Sequence, residues 1–165
     1  MRYLIVFLFV LSACSDGIKT LPSSTGILSE VIFVVEDALW ENQVKDVAFR
    51  TFGVPIQGLT QDESSFRVIQ VNHSEFKSIL KTHKNIVIIA KNVPTSNQQG
   101  KWTNDQIVVQ LGFRHEDNEL TKDLNKVKAI FEFREIRILR NSISKSSQKI
   151  QEQHIKEEFN IETLI

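Results

Sequence analysis

Val31 to Val35 reads VIFVV, five apolar residues in a row and mostly β-branched. Without alternation, such a run predicts a strand buried on both faces. Acidic Glu36 and Asp37 follow and favour a helix start. Trp40, Val44, Val47, Ala48 and Thr51 then recur at i, i+4, i+7, i+8 and i+11, one face of a helix ended by Gly53 and Pro55. Beyond the polar connection GVPIQGLTQDESS, the stretch FRVIQV (66–71) alternates as a half-buried strand does. Asn72 and Glu75 have the spacing of a capping box, with Asn in place of Ser or Thr, and Phe76, Ile79, Leu80 and His83 share one helical face behind it. NIVIIA (85–90) predicts another buried strand, Pro94 to Gly100 a turn region, and QIVVQLGF (106–113) a fourth strand. Leu120, Leu124, Val127, Phe131 and Ile138 fit one helical stripe, after which the pattern thins from Asn141 to the anchors Ile143, Ile150, Ile155 and Phe159. Either a second helix starts near Ser142 or one long helix carries on.

This order predicts an α+β fold, with a mixed or largely antiparallel sheet of about four strands, helices packed on one face and a long C-terminal helical segment. On this reading residues 30–140 form the domain and 141–165 a helical extension. No internal repeat is visible.

Charge narrows the function by exclusion. The 165 residues carry 20 Lys and Arg against 20 Asp and Glu, with no block of like charge, so nothing predicts a nucleic-acid partner.

The single cysteine changes the picture more. Met1 and Arg2 form a positive start, Tyr3 to Leu11 an apolar stretch too short to span a bilayer, and Ser12 and Ala13 are the small residues of a cleavage site. A buried structural thiol or a nucleophile suits these neighbours poorly, since a nucleophilic cysteine needs a base and an electropositive niche. LSAC resembles the lipobox of bacterial lipoproteins. That resemblance implies a signal peptide over 1–13, lipidation of Cys14, a tether over 14–29 and a membrane attachment made permanent by two or three acyl chains. Ser15 after the cysteine points to the outer membrane. No thiol would then remain free, and the domain would rely on its core.

A broader resemblance rests on LPSSTGILSEVIFVVEDALWENQV, FRVIQVNHSEFKSILKTHKNIVII and GKWTNDQIVVQLGF. These stretches are similar to an uncharacterised lipoprotein family of Bacteroidetes-type Gram-negative bacteria, a domain of unknown function. The elements that carry it are Leu-Pro followed by Ser and Gly, Glu30 before the first strand, Trp40, LKTHKNIVII, and Trp102 shortly before the fourth strand. Members of that family are about twice this length, which would make this chain a fragment whose second half begins near FNIETLI. The resemblance implies no activity, substrate or catalytic residue.

Chemistry is therefore weighed residue by residue. His73, His83, His115 and His154 are never spaced at i, i+3 or i+4, so no local metal-ligand pattern exists and neither metal nor cofactor is expected. His83, beside Lys81 and Lys84, is a weak candidate polar site, or else a cap on the last carbonyls of its helix. Trp40 belongs to the core stripe. Trp102 sits in a polar loop, where it either contacts a partner or folds back over the sheet edge. The carboxylate pairs Asp62 with Glu63, Glu116 with Asp117 and Glu157 with Glu158 are sequence neighbours that do not face one another on a helix. Glu132, Arg134, Glu135 and Arg137 are expected on one wet helix face. No Walker, dinucleotide or G-x-S-x-G pattern appears. The expectation is a lipid-anchored envelope module that binds or assembles with an envelope partner without catalysis; the alternative is an envelope hydrolase acting on cell-wall or glycan material.

Overall fold

The computed structural model describes residues 20–56, 58, 63–113 and 117–146. Five strands form one sheet: β1 (Glu30–Val34), β2 (Arg67–Val71), β3 (Asn85–Lys91), β4 (Ser96–Gln99) and β5 (Ile107–Phe113). Their order is β2-β1-β3-β5-β4. β1 pairs in parallel with both β2 and β3, and β3 in parallel with β5, while β4 joins β5 antiparallel. The fold is α+β with a mixed sheet, as the element order predicts.

Two details differ from expectation, each for a physical reason. The strand count is five instead of four, because β4 (SNQQ) is a polar edge strand whose ladder no apolar pattern announces. Parallel pairing dominates, so the largely antiparallel version of the sheet does not occur. The unalternating runs of β1 and β3 already belong to central strands covered on both faces, which is how parallel strands sit.

Residues 37–52, here α1, form one helical run: an α start (Asp37–Leu39), a π-helical turn (Trp40–Val44) and an α-helix (Lys45–Phe52). Its predicted stripe is buried, Trp40 lying near Phe33 and Phe49. The long helix α2 (Asp117–Ser146) runs through Ser142 without a break. Both helices cover the same face of the sheet. Phe33, Val87, Val109, Phe52, Leu124 and Phe131 belong to that core.

The other face carries Ile32, Val34, Ile86 and Val108 under Phe76, Leu80 and Trp102. Here the predicted helix is only a 3-10 turn (Ser78–Thr82). Asn72 directs its side-chain oxygen to the Ser74 amide and hydroxyl, and Ser78 stands at φ 45°, so no helix propagates from the predicted cap. Ile79 is consequently exposed while Phe76 is buried. Gly112 of β5 is required by close approach: a Cβ there would lie 2.2 Å from the Val93 carbonyl oxygen.

Candidate functional site

Parallel pairing brings the first residues of β1, β3 and β5 to one edge of the sheet, and α2 passes over that edge carrying Arg134 and Glu135. Asn85, fully buried, sits at the centre. Its amide nitrogen donates to the Glu30 carbonyl at 2.9 Å and to Glu135 Oε1 at 2.8 Å, and its oxygen accepts from Arg134 Nη2 at 2.8 Å. The Glu135 carboxylate also accepts the Ser29 backbone N–H. Arg134 Nη1 donates to the Asp105 carbonyl. Burial lowers the Arg134 pKa from its ordinary value, opposed by the charges of Glu135 and Asp105, and Arg137 adds to the lowering. A guanidinium still keeps its proton. The wet face expected for these residues is thus half wrong: Glu132 and Arg137 are exposed, but Arg134 and Glu135 are buried.

His83 lies on the same edge, also buried; its backbone N–H closes the 3-10 turn on the Leu80 carbonyl, while its side chain turns to Glu30 instead of capping the helix carbonyls. Its Nε2 is 2.6 Å from Glu30 Oε1, whose other oxygen is 3.8 Å from the Arg67 guanidinium. Gly26, at φ +84°, lies against the ring, where a Cβ would be 2.3 Å from Nε2. His83 Nδ1 and Arg134 Nε are, among the described residues, the two buried side-chain nitrogens without a hydrogen-bond partner.

Loops complete the knot. Gln106 donates to the carbonyls of Lys81 and His83 and accepts the Trp102 backbone N–H. Thr25 exchanges backbone hydrogen bonds with Thr82 and Lys84, and Asn104 binds Leu21 and Pro22. The Leu-Pro segment, Glu30, the LKTHKN segment and the GKWTND loop, distant in sequence, therefore meet at one place.

Residues 24–144 match a protein-family model described as Domain of unknown function (DUF8532). The chain belongs to that family. No curated protein and no solved structure matches it. The DUF8532 span takes in both Glu30 and Glu135, and with them the partners of Asn85.

Three cavities of the DUF8532 domain bear on chemistry. One of about 100 Å³, lined by Asp105, Gln106, Arg134 and Arg137, adjoins another of about 300 Å³ floored by Ile107, Ala129, Ile130 and Phe133. The third, about 70 Å³, lies at the far end of β5 between Gly112 and Asp123. His83 lines none of them. In open parallel sheets the usual ligand crevice lies at the carboxyl ends, where strand order reverses beside the first strand. Near those ends Gln70 reaches the Val35 carbonyl and Asp37, and the His73 ring reaches the Ile89 carbonyl.

Trp102 is half-buried on the face opposite the helices. Its ring meets Phe76 edge-on at 5.7 Å, with the Lys101 and Lys81 ammonium groups 4.7 and 5.8 Å from its centroid. Cys14, His115 and His154 lie outside the described residues, as do Asp62, Glu116, Glu157 and Glu158. Among the described residues no cluster of three His, Cys, Asp or Glu could hold a metal ion, and no helix is long and apolar enough to cross a membrane. Sequence reasoning missed Asn85, whose one signal was a polar residue opening an otherwise apolar strand.

Proposed function

We propose that this protein is a Bacteroidetes-type envelope lipoprotein, held at the outer membrane by lipid on Cys14, that acts as a non-catalytic binding or assembly module. The observation that carries this reading is the half-open Trp102 ring flanked by Lys81 and Lys101. An aromatic anchor beside two cations suits an envelope protein partner with a negatively charged contact surface. Around it, the polar groups with the best credentials for chemistry bind one another. The test is crosslinking in the native envelope followed by mass spectrometry. One reproducible protein partner, lost in Trp102→Ala, is expected; the same partner set with and without Trp102 would overturn the assignment of that surface. Cys14→Ala should move the protein out of the membrane fraction, and a variant that still floats with membranes would overturn the lipid anchor.

One observation favours the alternative, an envelope hydrolase: the 2.6 Å His83–Glu30 contact has the geometry of an oriented base. That ring is packed under Gly26 and lines none of the cavities described, which is why binding is preferred.

A further inference from the structure

Away from the core, α2 turns a second face to solvent. Phe133, Ile136 and Leu139 are 71, 54 and 46 % exposed, and Ala129, Glu132 and Arg140 are exposed beside them. At about 3.6 residues per turn, all of these lie within about 60° of Ile136 around the helix axis. Arg137 lies about 100° away, outside this arc. The arc is thus apolar at its centre and carries a carboxylate and a guanidinium, Glu132 and Arg140, at equal distances before and after Ile136.

That symmetry makes the arc complementary to itself in one orientation. In an antiparallel pair with a two-fold axis at Ile136, each residue meets the one equally far on the other side of Ile136 in the second copy. Glu132 then meets the second copy's Arg140, Phe133 meets its Leu139, and Ile136 meets Ile136. The ion pair forms twice, once toward each end of the seam. A parallel pair would set Glu132 on Glu132 and Arg140 on Arg140, which is repulsive. Sliding the antiparallel pair by one turn would seat Arg140 on Ile136 in one direction and Glu132 on Ile136 in the other, each a charge against an apolar side chain. Within one chain Glu132 and Arg140 are about 12 Å apart along the helix and do not pair. The 3.6 Å contact of Glu132 with Lys128 in its own chain is partly exposed and of small value.

We propose that α2 pairs antiparallel with α2 of a second copy of this chain, about a two-fold axis at Ile136 and through two Glu132–Arg140 ion pairs. This interface stands apart from the lipid anchor and from Trp102, which lies on the face of the sheet opposite the helices.

Single cysteines in the full chain, with Cys14→Ser so that no other thiol is present, test the pairing. Helix axes about 9 Å apart bring the two copies of position 136 to about 5 Å between Cα atoms, inside the roughly 7 Å limit of a disulfide. Position 126 would lie about 30 Å from its own copy. Ile136→Cys is therefore expected to oxidise to a disulfide-linked dimer at least about tenfold faster than Lys126→Cys. Adding Glu132→Arg or Arg140→Glu should slow the Ile136→Cys crosslink severalfold. Mixing those two charge variants should restore it, because both contacts of the mixed pair again join opposite charges. Lys126→Glu, the same change of charge as Arg140→Glu but outside the arc, should leave the rate as it was. All these positions are exposed, so circular dichroism should match the parent's. Equal rates for cysteines at positions 136 and 126, no dimer from either, or a slowing by Lys126→Glu as large as that by Arg140→Glu would each overturn the proposal.

Discussion

The carboxylate of Glu135 accepts the backbone N–H of Ser29 with both of its oxygens, at 3.0 and 2.9 Å, across 106 residues of chain. One side chain on the last helix thereby fixes the residue that leads into the first strand, and it does so with Ser29 at φ 58°. The bond belongs to a set that also pairs the side-chain amide of Asn85 and both Nη atoms of Arg134.

Removing the carboxylate should therefore be severe. Glu135→Ala is expected to lose about 3 to 5 kcal/mol, the usual consequence of leaving a buried charge without its partner. The double variant Arg134→Met with Glu135→Leu should lose less than Glu135→Ala alone, since it leaves neither charge behind. Urea denaturation of the three proteins measures this, and a loss below about 1 kcal/mol for Glu135→Ala would show that the network does not secure α2.

Gly26 makes a separable prediction. Its left-handed φ disfavours any side chain by about 1 to 2 kcal/mol, and the His83 ring blocks a Cβ besides. Gly26→Ala should thus be less damaging in a His83→Ala background than in the parent, by the steric part alone. Additive losses in that double-mutant cycle would mean that the ring moves aside freely.

Gly112 tests backbone crowding with no φ contribution. Its missing Cβ faces a carbonyl oxygen, which cannot swing away as a side chain can. Gly112→Ala is expected to lose about 2 kcal/mol or more by forced displacement of the β4 connection. Gly58→Ala, where a Cβ meets nothing within 4 Å, is the comparison for φ strain alone. A Gly112→Ala protein that melts with the parent would contradict the close approach.

Trp40→Ala should lose about 3 to 5 kcal/mol by thermal or chemical denaturation, because the ring is buried next to Phe33 and Phe49. A variant as stable as the parent would take Trp40 out of the core.

The core was readable because burial repeats with a period. The stripe from Trp40 to Thr51 and that from Leu120 to Phe131 are both buried as their spacing predicts. What escaped is what has no period. His83 finds Glu30 from 53 positions away, and Asn85 finds Arg134 from 49. Arg134 and Glu135 carry the charge of surface residues, and only partners brought by other elements allow them inside. The π-helical turn at Trp40–Val44 leaves the stripe's order intact and so gives no sign of itself in the sequence.

The way Leu21 to Thr25 is stitched to the domain has a mechanical meaning. Ser23 bridges Asn104 and Thr25 bridges His83, both in parallel, and backbone bonds from Asn104, Thr25 and Lys84 close the seam. Tension applied to the chain ahead of Leu21 would meet these bonds close to the sheet's amino edge. It would have to shear several at once before reaching β1, so a pull at that end is borne by the knot around His83 and Gln106 instead of peeling the first strand away.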